Sequence, residues 1–279
     1  MRFTHHKSLT IEQGSRVLFE MRLAGIAVDP DDRLLAVGDD HIKQFSDTGE
    51  LEQQIPLPGL GWCVLAEDDA LWVGMDGALF QLDREGKRIR TIRNNQLGRI
   101  TSIAAVGDHL LLADATNRTI HEFTRDGKYL GEVGTKANTR GYMIPNGLLD
   151  LCSEASTETL LVAHPQKHRI ERFNDAGELI DKWGKFGMHS PADFGGCCNP
   201  TNIAVAADGV IAVSEKAPPR VKFYSSVGEY LTLIESPLFN PNTANIDLAF
   251  DSTGNLYVSD PARRAIELFS LVAEEVAIP

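Results

Sequence analysis

An all-β ring of six four-stranded antiparallel blades, a six-bladed β-propeller, is the fold this sequence predicts, and three observations predict it. A short apolar strand, a polar turn and a second strand ending in a small residue recur six times. The second strands align as Leu34-Leu35-Ala36-Val37-Gly38, Leu71-Trp72-Val73-Gly74, Leu110-Leu111-Leu112-Ala113, Leu160-Leu161-Val162-Ala163, Ile211-Ala212-Val213-Ser214 and Leu256-Tyr257-Val258-Ser259. Each is followed by a third strand: Ile42 to Phe45, Ala78 to Leu82, Thr119 to Phe123, Arg169 to Phe173, Val221 to Tyr224 and Ala265 to Phe269. Five of these run into a glycine, at Gly49, Gly86, Gly127, Gly177 and Gly228, which supplies the positive φ that a tight hairpin needs. Successive turn glycines lie 37, 41, 50 and 51 residues apart, near the period of about 40 to 50 of a four-stranded blade.

A fourth strand leaves each turn, as in Tyr129 to Val133 or Glu178 to Trp183. Six units occupy nearly all 279 residues, so residues 1–279 read as one domain. The sixth unit ends at Phe269, and the tail Val272 to Ile278 lacks the glycine turn. Closure therefore needs an N-terminal strand, and Arg16 to Met21 is expected to be the missing outer strand of the last blade. A ring fastened in this way leaves no open sheet edge.

Lys plus Arg total 27 against 39 Asp plus Glu, a formal charge of -12. An extended contact with a phosphate backbone would be repelled, which argues against a nucleic-acid partner. No run approaches the eighteen or so apolar residues of a membrane helix, and Met1 to His6 lacks the apolar stretch of a secretory signal. Four cysteines in a domain of this size do not make a disulfide scaffold. The expectation is a cytoplasmic protein with a protein, peptide or small-molecule partner.

The run Asn199-Pro200-Thr201-Asn202-Ile203-Ala204-Val205, followed by Ala207-Asp208-Gly209 and the strand Ile211 to Val213, resembles the NHL repeat. Asn245 to Asp260 and Ala24 to Gly38 are similar. The resemblance spans essentially the whole chain and implies a six-bladed propeller, while saying little about chemistry. Phe194-Gly195-Gly196-Cys197-Cys198-Asn199-Pro200 further resembles a bacterial NHL-like subgroup with a Gly-Cys-Cys-Asn-Pro motif. Lactonases of the gluconolactonase and senescence-marker type are also six-bladed and hold a divalent ion through a Glu, an Asn and an Asp at blade starts. Pro145-Asn146-Gly147-Leu148 is similar to their Asn stretch, but Ile246 takes the Asp position and Ala24 or Gly25 the Glu position. Alternation along the strand is expected to turn Asp247 away from the channel.

Blade starts and second-strand ends share one face, the default place for a ligand. The expected starts are Ala24-Gly25, Trp62-Cys63, Thr101-Ser102, Asn146-Gly147, Thr201-Asn202 and Ile246-Asp247; the strand ends add Asp39, Met75, Asp114, His164, Glu215 and Asp260. This makes a polar, net acidic mouth. The recurring carboxylates fit either acceptors of backbone N–H groups in the adjoining loop or oxygen ligands of a divalent ion. Ligand-binding candidates are Asn146, His164, Asn202, Glu215, Lys216, Arg220, Asp247 and Asp260. Lys216 and Arg220 flank a Pro-Pro loop suited either to a carboxylate ligand or to solvated ion pairs.

Cys197 and Cys198 are candidates for soft-metal or redox chemistry, with nearby His189 and His164 able to complete a thiolate and imidazole site. The alternatives are two packed thiols or a vicinal disulfide, which would be strained because adjacent Cα atoms lie about 3.8 Å apart. No phosphate-binding Gly-x-x-x-x-Gly-Lys-Ser/Thr loop, Gly-x-Ser-x-Gly elbow or His-Glu-x-x-His motif occurs. The leading expectation is a propeller that binds its partner on the channel face; the alternative is a metal-dependent hydrolase, lyase or redox-associated enzyme using the same face.

Overall fold

The computed structural model describes residues 2–9, 12, 13, 16–46, 48–235 and 237–272. Among them every regular element is a strand, and no helix is long and apolar enough to cross a membrane. Six antiparallel sheets of four strands form the blades. Their inner strands are Leu23–Val28, Cys63–Ala66, Ile100–Val106, Asp150–Glu154, Ile203–Val205 and Leu248–Phe250, for blades 1 to 6. The second strands of blades 1, 2, 4, 5 and 6 begin at Leu34, Leu71, Thr159, Ile211 and Leu256, and that of blade 3 at His109.

Each blade buries both faces, because a separate apolar core fills each gap between neighbours. Val37 and Ile42 of blade 1 meet Val73 and Phe80 of blade 2; Trp72 of blade 2 meets Leu112 and Phe123 of blade 3. The series continues with Ile120 against Phe173, Ile170 against Tyr224 and Phe223 against Phe269. The last core joins Tyr257 and Leu268 of blade 6 to Phe45 and Leu34 of blade 1. This two-sided burial explains why the second strands read as continuous apolar runs rather than alternating ones, each large side chain contributing about 1.5 to 3 kcal/mol.

The turn glycines adopt positive φ at Gly49, Gly86, Gly127, Gly177 and Gly228, and each hairpin carries a register shift between third and outer strand. That bulge adds local twist where the blade fans outward.

The ring is closed by an N-terminal strand, but not by the expected one. Arg2–Leu9 pairs antiparallel with Ala265–Val272 as the outer strand of blade 6. Arg16 and Val17 instead pair with Glu12 and Gln13 in a two-stranded hairpin, and Leu18 and Phe19 pack into the core between blades 6 and 1. Arg2–Leu9 carries two histidines and a lysine and so hides its strand character, although His5 and Ser8 bind Glu267 at 2.8 and 2.9 Å and Phe3 stacks on Phe223 at 4.0 Å. The tail beyond Val272 lies outside the described residues.

Deleting residues 1–9 is therefore expected to expose the edge of Ala265–Val272, producing aggregates on size-exclusion chromatography or a fall in Tm of roughly 10 °C or more. Replacing residues 12–17 by a Gly-Ser linker of equal length should leave Tm within about 3 °C. The reverse ranking of the two variants would contradict the closure described.

Candidate functional site

A layer of six residues, one per blade, rings the channel near the start of each inner strand. Cys63, Ser102 and Asp150 lie opposite Gly74, Ala113 and Ala163 of their second strands. Asn202 and Asp247 accept the N–H of Ser214 and Ser259 at the same level, and Gly25 completes the layer. The small residue ending each second strand now has a cause: a Cβ on Gly74 would come within 2.5 Å of the Cys63 Sγ, and one on Gly38 within 2.1 Å of the Arg22 carbonyl oxygen.

The ring side chains reach across to the next blade. The Cys63 thiol donates to the Ile100 carbonyl at 3.5 Å, and the Ser102 hydroxyl donates to that of Leu151 at 3.0 Å. Asp150 accepts the Ile203 N–H at 2.8 Å, Asn202 donates to Asp247 at 3.2 Å, and Asp247 accepts the Ile26 N–H at 2.7 Å. The last of these crosses the seam between blades 6 and 1. Asp247 thus faces the channel, whereas Ile246 is buried between blades; the expectation from strand alternation fails because Asp247 lies just before Leu248–Phe250, outside the regular pleat. Blade 4 also differs from expectation. Its ring residue is Asp150, not Asn146, because the loop before this blade runs on to Leu149.

Burial raises the Asp150 carboxyl to about 8, with the Asp247 charge adding to the effect. Burial likewise raises Asp247 to about 6, opposed by the Ile26 and Leu248 N–H groups and Asn202. Near neutral pH the two carboxyls share one proton and one negative charge. Asn202 is 1% exposed, yet its Oδ1 has no partner. A divalent ion would find two carboxylates and this amide oxygen here. Among the described residues no three of His, Cys, Asp and Glu gather around one point. Beneath the ring the channel forms a cavity of about 200 Å³, walled by residues such as Leu65, Ala104, Cys152 and Phe250.

The second-strand-end residues serve the scaffold. Asp39 accepts the N–H groups of Glu20, Met21 and Arg22, Asp114 that of Gly98, Glu215 that of Gly195 and Asp260 that of Asn240. Each acid ties down the loop arriving at its own blade, whereas the sequence reading had placed Glu215 and Asp260 among ligand contacts. Glu215 also binds Arg220 and lies 3.0 Å from the Lys222 ammonium. Blade 4 performs the same task with His164, which is buried against Asn138 at 3.1 Å. Burial lowers His164 to about 4, so it stays neutral. Glu215, Arg220, Asp260 and His164 are therefore all engaged in contacts within the blades.

Above the ring the rim carries both signs, with Asp76 exposed and paired to Arg99 at 3.3 Å. The Arg22 and Arg99 guanidinium groups lie 3.7 and 4.0 Å from the Trp62 ring centre, close enough that they must occupy opposite faces. Burial and the Arg99 charge lower the Arg22 pKa. Among the described residues Arg22 Nε and Trp62 Nε1 are buried donors without an acceptor, and the Asn245 Oδ1 is a buried acceptor without a donor. On the facing blades Lys216 donates to the Asn146 Oδ1, and Asn146 donates to the Cys198 carbonyl at 3.3 Å. Cys197 is exposed and Cys198 buried. His189 is exposed on its loop and His164 is held by Asn138, so the structure does not assemble the thiolate and imidazole site.

A larger concavity, about 780 Å³, lies outboard between Leu18, Met21 and the edge of blade 1. Its Asp39 already holds three backbone donors, and none of its lining residues has an unpartnered buried polar atom. Sequence reasoning missed Asp150, Arg22 and Arg99. The apolar-polar-apolar run Leu149-Asp150-Leu151, spaced from its second strand much as Asn202 is from Ser214, was a usable signal for the first.

The raised Asp150 has a measurable consequence. Its folded form keeps the proton up to about 8, whereas an unfolded Asp releases it near 4, so stability falls as pH rises through that window. The lowered His164 acts oppositely, its contribution being lost as pH falls from about 6.5 towards 4. Between pH 6.5 and 8 the Asp150 effect dominates, and urea unfolding should show a loss on the order of 1 kcal/mol. Asp150→Asn should flatten the profile; a wild-type protein with constant stability over this range would contradict the assignment.

No protein-family model matches the sequence, and no curated protein matches it. Among solved structures the fold is similar to that titled streptogramin B lyase, with a TM-score of 0.65 and 14% identity over 97% of this chain and 98% of that one. It is also similar to the WD40 β-propeller domain of Doa1, with a TM-score of 0.62 and 16% identity over 90% and 79% of the two chains. A protein of unknown function from Bacteroides thetaiotaomicron gives a TM-score of 0.66 and 15% identity over 90% and 69%. At such identities the likeness establishes the propeller fold and nothing about substrate or partner.

Proposed function

We propose that this chain is a ligand-binding propeller of the NHL type that takes a carboxylate-bearing peptide or small molecule at the rim of its channel. One observation carries this reading: two buried donors, Arg22 Nε and Trp62 Nε1, stand side by side without acceptors. Buried polar groups are nearly always satisfied, and an unpartnered pair of donors favours a ligand that supplies the acceptors. An anion here would join Asp76, which pairs with Arg99 at 3.3 Å and partly offsets the Arg99 charge on Arg22. Lys216, whose ammonium contacts the neutral Asn146 amide, lies on the facing side. Asn202 and Asn245 offer amide oxygens to N–H groups of the same ligand. The Asn199 to Val205 pattern and the six-bladed ring support the NHL assignment.

The Asp150 and Asp247 pair favours one second reading, a hydrolase or lyase. Two neighbouring carboxyls, one protonated and one ionised near neutrality, are suited to general acid and base roles. Both face the channel beneath the same rim.

Native mass spectrometry separates these ideas from a merely structural rim. A pool of short peptides with free C-terminal carboxylates should yield complexes that the same pool, C-terminally amidated, does not. Arg22→Ala and Lys216→Ala should each weaken retained complexes roughly 10- to 100-fold, the loss of one charged hydrogen bond. Equal capture of the amidated pool, or full capture by the double variant, would overturn the binding proposal. Cleavage or elimination products that vanish in Asp150→Asn would favour the enzymatic reading.

A further inference from the structure

We propose that Cys197 and Cys198 form a thiol–disulfide exchange site on the channel rim, with a low-molecular-weight disulfide of the glutathione class as co-substrate. The inference stands on the geometry of the loop and does not depend on any ligand bound at the rim.

The two sulfurs lie 2.7 Å apart, in direct contact, with neither yet bonded to the other. Their environments differ. Cys197 is exposed, while Cys198 is 5% exposed, so one thiol meets solutes and its neighbour waits behind it. The backbone is turned to allow this, with Gly196 and Cys198 at φ of 70° and 72°. A left-handed conformation at a non-glycine residue costs on the order of 1 kcal/mol or more and is retained where surroundings enforce it. Here Asn199 enforces it: its amide donates to the Gly195 and Lys216 carbonyls at 2.7 and 2.9 Å and accepts the Lys216 N–H at 2.9 Å. Asn146 holds the Cys198 carbonyl from the facing loop.

Metal chelation is the competing use of two thiols. Among the described residues no third Cys, His, Asp or Glu joins them. Burial and the adjacent thiol raise the Cys198 pKa, with the Lys216 charge opposing, which suits Cys198 to the second step and not the first. Cys63 and Cys152, raised far more strongly by burial, lie apart from this pair.

The reaction balances without further reagents. The Cys197 thiolate attacks one sulfur of R–S–S–R, forming a mixed disulfide and releasing RS⁻, which takes up the proton Cys197 lost. Cys198 then gives up its proton and attacks the Cys197 sulfur, releasing the second RSH and closing a Cys197–Cys198 disulfide. Two electrons pass from the protein dithiol to the small disulfide. Because adjacent Cα atoms lie closer than an unstrained disulfide prefers, the product returns readily to the dithiol when small thiols are in excess.

The test uses folded protein and oxidised glutathione, followed by alkylation and peptide mass spectrometry. Wild-type protein should lose both alkylation sites at 197 and 198 and gain an internal disulfide, with two glutathione molecules released per chain. Cys198→Ser should accumulate one glutathionyl group on Cys197 and stop there. Cys197→Ser should react at least tenfold more slowly. An unmodified Cys198→Ser protein, or wild-type protein that stops at the mixed disulfide, would overturn the proposal. Cys63 and Cys152, alkylated only after unfolding, report that the fold stayed intact in every sample.

Discussion

A propeller has no core through its axis, so its integrity depends on continuity around the ring. Six apolar cores each join only two blades, and a break at any one of them would open the circle. One of these junctions is the seam between the two ends of the described chain. It is held at the outer edge by Arg2–Leu9 and at the inner edge by Asp247, which accepts the Ile26 N–H. Between them Arg264 reaches the Phe19 carbonyl at 2.9 Å, and Ser252 donates to Asp32 at 2.8 Å. Side chains spanning the remaining inner strands extend the same principle to the other blades, from Cys63 to Asn202.

That construction shapes the chemistry of the channel. Inner-strand N–H groups such as those of Ile26 and Ile203 face a neighbouring blade rather than a paired strand, and carboxylates satisfy them. Two acids are thereby held close together in a poorly hydrated channel, which raises both. On the rim the strand-end acids are drawn into backbone contacts. A chain of net charge -12 presents Arg22, Arg99 and Lys216 beside Asp76 around its opening, and a local field can attract an anion despite the overall charge.

The blades were legible because their signals are local and repeated: apolar second strands, hairpin glycines and small residues at strand ends. The closing strand was not, because Arg2–Leu9 acquires its partner from the far end of the chain and carries polar residues that a terminal segment could bear for any reason. The acidic strand ends were visible as a series, and their backbone-binding role follows from the repetition itself. His164 was harder to place, since its role depends on Asn138, 26 residues away in a loop without periodicity. The Arg22, Trp62 and Arg99 stack joins three blades, and no spacing within one repeat could have announced it.

Hydrogen exchange at the Ile26 and Ile203 amides tests the ring most directly. Both donate to a carboxylate of the preceding blade, so the account predicts exchange only through global unfolding, with protection equal to that of the most protected second-strand amides. In Asp247→Ala the Ile26 amide should lose at least a hundredfold in protection, about 2.7 kcal/mol, while Ile203 retains most of its own. Exchange of Ile26 in the wild-type protein as fast as that of exposed turn amides would show that the channel side chains do not hold the blades together.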